Sequence, residues 1–350
     1  MSAAPVKVGV LIDHVGPESP MVAEVRRVLD EATATGRLDR PVELVVEVAD
    51  GLPGGTAAAV AHAFSRLVDQ DVVAILGPSI TDNGLVVRDL ADEARMPCCN
   101  WTGSDRTRSE WMFHYQIGSL EEEPFLLADH LAERGCRRLV LVQDRSPIGT
   151  RYGAYLDRAV ERRGLRIDAT SFVSPVADDL TATVEEIRRH DADGLVYLGL
   201  GLSAGALGRA IAASGWKPPA VATNSALMFG WANPDWRDLW EGWTYVDAWS
   251  ERNPRLEALL DLEPSRRERS PLMFAAGDDL GRLLTEALAG AELFTAAAVK
   301  ESWERVKCLP ASLGGPDTTM SFGHWDRAAL KGEFLVLRTW RGGRSLPVDR

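Results

Sequence analysis

The sequence has few of the residues expected of a metalloprotein, a disulfide scaffold, a membrane protein or a nucleic-acid binder. Its 350 residues include four cysteines and six histidines. The cysteines form no CxxC pair and the histidines show no ligand spacing, which predicts buried free thiols and no metal site. No stretch approaches the roughly 18 apolar residues of a membrane span. The net charge of −12 argues against nucleic acid as a partner, because phosphates require clustered cations.

The N-terminus lacks the pattern of a secretory signal, which combines a basic start with an apolar core. Met1–Pro5 carries no side-chain cation, and the apolar run Val8–Ile12 ends at Asp13. As written, the chain is expected to stay in the cytoplasm. A processed protein would show the same start, so an extracellular or periplasmic location is the alternative.

Short apolar runs and helical stripes alternate along the chain, then alternate again after a seam near Ile117–Glu121. Such alternation predicts an α/β fold with two parallel sheets covered by helices, and ligands outside the carboxyl ends of the strands. The tail breaks this rhythm with predicted helices and late strands. The segments that carry these predictions include strands Val6–Ile12, Val42–Val48, Leu139–Gln143 and Gly194–Leu198, helices Thr56–Asp69, Glu121–Arg134 and Ala204–Ser214, and late strands Met320–Trp325 and Glu333–Trp340.

One string matches a catalytic motif. Gly201-Leu202-Ser203-Ala204-Gly205 fits the G-x-S-x-G nucleophile elbow and lies between a predicted strand and a predicted helix. The only late partner candidates are Asp278 or Asp326 with His324, and Asp326 comes after His324, which is the wrong order for an α/β-hydrolase. A glycine-rich turn with Ser203 as a helix N-cap is favoured instead. Gly199-x-Gly201 is not preceded by a first-strand dinucleotide fingerprint, so no cofactor is predicted.

Tryptophans and acids are concentrated at particular places. Six of the eleven tryptophans lie between residues 216 and 249, where a core role is favoured. Trp101 stands apart on a strand-end loop beside Asn100 and Thr102, where its flat ring could stack on a ligand. Three consecutive acids, Glu121 to Glu123, open a helix and are interpreted as solvated and stabilised by its dipole.

Several segments resemble type I periplasmic binding proteins, in the branch of the leucine/isoleucine/valine receptors and the related cytosolic amide sensor. The resemblance covers nearly the whole chain in order. The segments that carry it are Val6–Ile12, Ala74-Ile75-Leu76-Gly77-Pro78-Ser79 with the helix to Pro97, Arg138–Asp144 with Gly149-x-x-Tyr152-Gly153, Asp193–Tyr197, Glu241-Gly242-Trp243-Thr244 and Gly323-His324-Trp325-Asp326.

This resemblance implies two doubly wound α/β lobes that close on a ligand, joined by three crossings near Ile117–Glu121, Val246–Ser250 and Phe322–Arg327. Residues 1–118 with 250–322 would form the first lobe. Residues 119–249 with 323–350 would form the second.

The resemblance also assigns candidate ligand contacts. In the family's amino-acid receptors a serine after the third strand holds the ligand carboxylate, and Ser79 matches it. Uncharged Leu120 and Asn224 stand near the positions of acids that grip an ammonium group, and Ile148 and Gly201 stand near the positions of aromatics. A carboxylate or amide with a flat apolar body is therefore expected. The candidate ligand-binding residues are Ser79, Asn100, Trp101, Thr102, Gly103, Ser104, Leu120, Ile148, Tyr152, Gly201 and Asn224.

The sequence thus predicts a non-enzymatic solute-binding protein for an amino-acid-like ligand, an amide or an aromatic carboxylate. It would serve as the receptor of an ABC importer, with a permease as partner, or as a cytosolic sensor that reports to a regulator. The alternative is a serine hydrolase that uses Ser203.

Overall fold

The computed structural model describes residues 4–13 and 19–348, which fold into two compact units. Unit 1 comprises Met1–Ile117 and Ala248–Phe334, and unit 2 comprises Gly118–Asp247 and Leu335–Arg350. Each unit is an α/β structure with a mostly parallel sheet, so the predicted fold class is confirmed.

The strands of the described residues are numbered in chain order. They are β1 (Val6–Ile12), β2 (Val42–Val48), β3 (Ile75–Leu76), β4 (Cys98–Asn100), β5 (Met112–His114), β6 (Arg138–Asp144), β7 (Arg166–Val173), β8 (Gly194–Leu198), β9 (Val221–Thr223), β10 (Thr244–Asp247), β11 (Leu309–Pro310), β12 (Thr319–Met320), β13 (Leu330–Lys331), β14 (Val336–Arg341) and β15 (Arg344–Pro347).

The α-helices follow the same convention. They are α1 (Pro20–Ala34), α2 (Ala57–Val68), α3 (Thr81–Ala94), α4 (Glu123–Glu133), α5 (Pro147–Arg163), α6 (Thr181–Ile187), α7 (Ala204–Ser214), α8 (Pro254–Leu260), α9 (Pro271–Gly290) and α10 (Ala296–Glu304).

The main sheet of unit 1 has the order β2-β1-β3-β4-β5, and its strand pairs are all parallel. The chain runs outward from β1 to β2 and then returns to the other side of β1 at β3. The order therefore reverses between β1 and β3, which defines a topological switch point, the usual ligand position in such sheets. A small antiparallel sheet of β11, β12 and β13 belongs to the same unit.

The sheet of unit 2 has the order β15-β14-β10-β9-β8-β6-β7. The strands from β6 to β10 run parallel, whereas β14 and β15 pair antiparallel at one edge. The order reverses between β6 and β8, so unit 2 has its own switch point at the ends of these two strands.

Local sequence signals set the bounds of several helices. The Thr56 hydroxyl accepts a hydrogen bond from the Ala59 amide and caps α2. The Ser146 hydroxyl accepts from the Gly149 amide and caps the start of α5. Gly164, in a left-handed conformation, ends this helix. Side-chain acceptors satisfy amides that the first helical turn leaves without partners, which fixes where each helix begins.

Each unit has its own apolar core. In unit 1, β1 packs with α2 and α3 through residues such as Leu11, Phe64 and Val87, and α1 lies along α9. In unit 2, the core contains Tyr197, Trp240, Trp243, Tyr245 and Trp340, with Trp216, Trp231 and Trp236 packed against it. The core interpretation of these tryptophans between residues 216 and 249 agrees with the packing in unit 2.

Two predictions for the tail differ from the structure. Residues 323–334, expected in the second lobe, belong to unit 1, because Ala328 bridges His114 of β5 and the Leu330 amide donates to the Gln116 side chain at 2.9 Å. The predicted strand Met320–Trp325 is limited to β12, since a turn joins the Gly323 amide to the Asp326 carbonyl and leaves Trp325 92% exposed.

The four cysteines are free thiols: Cys98, Cys99 and Cys136 are buried, whereas Cys308 is exposed. Burial raises the pKa of Cys98 and Cys99 above that of an ordinary thiol. Among the helices of the described residues, none has the length and apolar character that a membrane span requires.

Candidate functional site

A buried carboxylate holds the switch point of unit 1 together. Asp13 follows β1 directly and is 6% exposed. Its Oδ1 accepts hydrogen bonds from the Ser79 amide and hydroxyl at 2.8 and 2.6 Å. Its Oδ2 accepts from the Ile80 amide at 2.9 Å and the Asn83 side chain at 2.8 Å. Four donors thus satisfy one carboxylate and join the end of β1 to the loop after β3.

This arrangement changes the role expected of Ser79. The resemblance predicts that Ser79 holds a ligand carboxylate, but its amide and hydroxyl both donate to the Asp13 carboxylate. A second anion at this position would have to displace Asp13 and would lie beside its negative charge. Ser79 therefore orients the loop after β3, and its donors are occupied by the protein itself.

The loop after β4 is organised by Asn100. This side chain is fully buried, donates to the Phe113 carbonyl at 2.9 Å, and accepts from the Thr102 hydroxyl at 2.8 Å and the Thr107 hydroxyl at 3.2 Å. The Thr102 hydroxyl also lies 3.3 Å from His114 Nε2. These contacts make Asn100 and Thr102 part of a closed internal network, which fixes the loop rather than presenting hydroxyls to a solute.

The other candidates of this loop lie close to α3. The Gly103 amide donates to the Thr81 hydroxyl at 3.4 Å, and the buried Ser104 hydroxyl accepts from the Arg106 amide at 3.3 Å. The Trp101 side chain is 3% exposed, and its ring lies next to Gly77 at the end of β3. The structure thus brings the six unit 1 candidates together at the ends of β3 and β4.

The first turn of α3 contains a buried acid that the sequence does not single out. Asp82 is 8% exposed, and among the described residues none donates a hydrogen bond to its buried Oδ1. Burial alone raises the pKa of Asp82 to about 6. A buried carboxylate oxygen without a hydrogen-bond donor lowers the stability of the folded protein.

Unit 2 repeats the carboxylate arrangement at its own switch point. Asp144, fully buried at the end of β6, accepts from the Leu200 amide at 2.8 Å and from the Tyr197 hydroxyl at 3.0 Å. Burial raises the pKa of Asp144 to about 6, although these donors oppose the shift. A side chain at Gly199 would lie 2.1 Å from the Asp144 carboxylate, so the glycine-rich turn after β8 serves this close approach.

The GLSAG string lies in that turn. The Ser203 hydroxyl is fully buried, lies 2.9 Å from the Tyr197 hydroxyl, and donates to Asp144 Oδ1 at 3.4 Å. Gly201 has φ +101°, and a Cβ there would lie 2.7 Å from the Ala226 carbonyl. The turn therefore directs Ser203 inward to a tyrosine and a carboxylate, whereas a hydrolase elbow directs serine outward to an imidazole.

We expect Ser203→Ala to leave any hydrolysis of p-nitrophenyl acetate unchanged, because the Ser203 hydroxyl contacts no base suited to activate it. Initial rates of the purified wild type and variant measure this directly. A variant that keeps the wild-type circular dichroism spectrum but loses ester turnover would support the hydrolase alternative.

A second buried acid in unit 2 is Glu123, in the first turn of α4. It is fully buried and accepts from the Ser119 amide at 2.7 Å and the Ser225 amide at 2.8 Å, and it also bonds Tyr152. Burial raises the pKa of Glu123 to about 8. The interpretation of Glu121 to Glu123 as solvated is wrong for Glu123, because this side chain turns inward to meet backbone amides.

Tyr152 and Asn224 meet in the same cluster. The buried Tyr152 hydroxyl bonds the side chains of Asn224 and Ser225, and the Asn224 amide donates to the Gly199 carbonyl at 2.7 Å. Leu120 and Ile148 are also buried, at 3% and 5% exposure, and contribute apolar surface only. Tyr152, Asn224 and the turn containing Gly201 are thus connected in unit 2.

The buried acids Asp13, Asp82, Glu123 and Asp144 are the residues that sequence reasoning missed. Each directly follows an apolar strand or opens a helix. Exposed acids occupy the same positions, so the sequence pattern does not distinguish a buried acid from an exposed one. Among the described residues, no group of three or more histidine, cysteine or acidic side chains is arranged to hold a metal ion. Asp13, Glu123 and Asp144 bind backbone amides, serine and tyrosine hydroxyls, and an asparagine amide, whereas no described residue donates to Oδ1 of Asp82.

Comparison with known proteins identifies the family of the chain and solved structures with a similar fold. A family model described as "Periplasmic binding protein" matches residues 5–330. A periplasmic binding protein type 1 from Bordetella pertussis Tohama I has a similar structure, with a TM-score of 0.84 and 17% identity over 99% of this chain and 100% of that one.

Two further solved structures are similar. One is the branched-chain amino acid transporter substrate-binding protein of Streptococcus pneumoniae in complex with isoleucine, with a TM-score of 0.83 and 17% identity over 98% of both chains. The other is an ABC transporter substrate-binding protein from Sphaerobacter thermophilus, with a TM-score of 0.77 and 21% identity over 99% of this chain and 97% of that one. No curated protein matches the sequence significantly.

Proposed function

Because the chain belongs to the periplasmic binding protein family, we propose that it is a non-enzymatic solute-binding protein. The ligand is a small organic molecule, either amino-acid-like, an amide or an aromatic carboxylate. Taking each unit by itself, we assign ligand contacts to its strand-end loops: Trp101 as the aromatic contact in unit 1, and the cluster of Tyr152 and Asn224 in unit 2.

The observation that carries this proposal is the repeated construction of the two switch points. In unit 1, Asp13 fixes the loop after β3, and in unit 2, Asp144 fixes the loop after β8. Loops held by buried hydrogen bonds keep their shape without a ligand, which reduces the entropy that binding must overcome. Such preorganised loops at strand ends suit the capture of a small solute.

Two biological roles use such a protein. The similar structures described as ABC transporter substrate-binding proteins favour a receptor that delivers solute to a permease, and a sensor that reports to a cytosolic regulator is the other role. The neighbours of the native gene distinguish them. Adjacent genes for a permease and its ATPases support import, whereas an adjacent regulator gene supports sensing.

A thermal-shift screen tests the proposed function. A ligand that binds only the folded protein raises the melting temperature in proportion to the logarithm of its concentration. We expect at least one member of a panel of amino acids, amides, amines and aromatic carboxylates to do so, with binding then measured by isothermal titration calorimetry. A panel in which every compound leaves the melting temperature unchanged would contradict the proposal.

We expect Trp101→Ala to weaken binding of the solute found in that screen by about 1–3 kcal/mol, the usual effect of removing a buried aromatic anchor. Trp101→Phe, which keeps a flat apolar ring beside Gly77, should retain most of the affinity. Calorimetric titration of both variants measures the change in the dissociation constant.

Trp325→Ala is the matched control, because Trp325 is 92% exposed and lies on the turn between Gly323 and Asp326 of unit 1. It should leave the affinity unchanged. Equal affinities of Trp101→Ala and the wild type would remove Trp101 from the binding residues.

A further inference from the structure

Asp82 stands out in unit 1 as a buried acid whose Oδ1 has no hydrogen-bond donor among the described residues. Buried polar atoms in folded proteins are nearly all hydrogen-bonded, and a carboxylate without a donor lowers stability. A residue that lowers the stability of the fold in this way can serve function instead. One such function is to accept a hydrogen bond from a bound partner.

The neighbours of Asp82 in the first turn of α3 are all engaged within the protein. The Thr81 hydroxyl accepts from the Gly103 amide. The Asn83 side chain donates to Asp13 Oδ2 and to the Leu52 carbonyl, and its oxygen accepts from the Leu52 amide. Asp82 thus presents the unused acceptor in a turn that is otherwise fixed, directly after the loop that follows β3.

The position of Asp82 is the place where a sheet of this kind binds ligands. The loop after β3 lies at the switch point between β1 and β3, where the carboxyl ends of the strands form the binding edge of an open α/β sheet. Asp82 comes two residues after Ile80, whose amide is bonded to Asp13. The unused acceptor therefore belongs to the part of unit 1 to which we assign ligand contacts.

The charges at this edge select the chemistry of the ligand. Asp13 has already taken the Ser79 and Ile80 donors that could otherwise hold an anion, and it is bonded to Asn83, the neighbour of Asp82. A ligand carboxylate would find these donors occupied, and it would meet the negative charge of Asp13 where they lie. A protonated amine would instead find an acceptor of opposite charge without a partner.

We propose that Asp82 accepts a hydrogen bond from an ammonium group of the bound solute. This inference rests on the proposed function and narrows its ligand to an organic amine whose other polar group, where it has one, is neutral. Asp82 would then be the residue of unit 1 that selects for the amine.

Four probes that share a branched alkyl body and differ in their polar group test this inference. Isoamylamine carries an amine only, L-leucinamide an amine and a neutral amide, L-leucine an amine and a carboxylate, and isovalerate a carboxylate only. We expect the two probes without a carboxylate to bind the full-length protein at least about tenfold more tightly than leucine. Isovalerate should not bind.

Asp82→Asn is the informative variant, because asparagine keeps the size of the side chain and removes its charge. It should weaken binding of isoamylamine and leucinamide by about tenfold or more. Asp89→Asn, at an exposed acid on the same helix, should leave both affinities unchanged. Because Asp82→Asn removes an unpaired buried charge, its melting temperature without ligand should equal or exceed that of the wild type, which shows that it folds.

The possible failures are distinguishable. Leucine or isovalerate binding as tightly as isoamylamine, or an Asp82→Asn variant that binds the amines unchanged, would overturn the role of Asp82 and leave the solute-binding function intact. The same holds if none of the four probes binds but the broad screen finds a ligand without an amine. A broad screen with no ligand at all would overturn both.

Discussion

Asp13→Ala is expected to lower the free energy of unfolding of unit 1 by about 3–5 kcal/mol, since it removes a buried, fully hydrogen-bonded carboxylate. The Ser79 and Ile80 amides and the Asn83 side chain would lose their acceptor. Most of the lost free energy comes from backbone amides that stay buried away from water and no longer have a hydrogen-bond acceptor. Urea unfolding followed by far-ultraviolet circular dichroism measures it as a lower transition midpoint.

Two further variants show whether the loss comes from these bonds. Asp13→Asn keeps one oxygen acceptor and should fall between the wild type and Asp13→Ala. Asp89→Ala removes an exposed acid from α3 and should change the free energy of unfolding by less than about 0.5 kcal/mol. If Asp13→Ala is no less stable than Asp89→Ala, Asp13 does not hold the switch point of unit 1.

Glu123→Gln is expected to abolish a large part of the pH dependence of stability. Burial raises the pKa of Glu123 from 4.5 to about 8, so folding favours the protonated carboxyl. The stabilisation is complete below pH 4.5 and is lost as the pH rises through about 8. The loss is up to about 1.4 kcal/mol per pH unit, or about 5 kcal/mol over the whole interval.

The interval between pH 6.5 and pH 8 isolates Glu123. The raised pKa values of Asp82 and Asp144 are about 6, so these acids are mostly ionised in both states above that pH. His114, whose pKa burial lowers from 6.5 to about 3, is neutral in the folded protein and titrates only in the unfolded chain. Its small contribution has the opposite sign and is the same in the wild type and in Glu123→Gln, so it cancels when the two are compared. Urea unfolding at both pH values should show a loss for the wild type and little change for Glu123→Gln.

Glu122→Gln is the control for this measurement, because Glu122 is the exposed neighbour of Glu123. It should reproduce the wild-type slope. Equal slopes for Glu123→Gln and the wild type would mean that Glu123 is ionised at neutral pH and that its hydrogen bonds to Ser119 and Ser225 outweigh its burial.

Much of the fold follows from local patterns in the sequence. β1, β2 and β8 have the predicted bounds, because each is an apolar or alternating run that turn residues or charges delimit. The helix α1 is harder to predict from the sequence, because its buried face includes the charged residue Glu24, which forms salt bridges with Arg27 and Arg266. The pairing with these arginines depends on the folded chain, so the apolar stripe of α1 is incomplete in sequence.

The candidate site is predictable in place but not in detail. The resemblance and the strand pattern identify the loops after β3 and β4, where Ser79 and Trp101 lie. They do not reveal that the Ser79 donors are bonded to Asp13, because the partners are distant in sequence. For the same reason the sequence predicts that Glu123 is a solvated acid stabilised by the helix dipole, although its carboxylate accepts a hydrogen bond from the Ser225 amide of a remote loop.

The discontinuous course of unit 1 has a consequence for synthesis on the ribosome. α1 packs along α9, yet the whole of Gly118–Asp247 leaves the ribosome between them. Until Pro271–Gly290 emerges, the apolar side of α1 that includes Met21, Val25 and Val28 lacks its cover and is open to chaperones and to aggregation. The inserted strands from β6 to β10 can pair before that time, so the middle of the chain begins to fold ahead of its beginning, and β14 and β15 complete the sheet of unit 2 last.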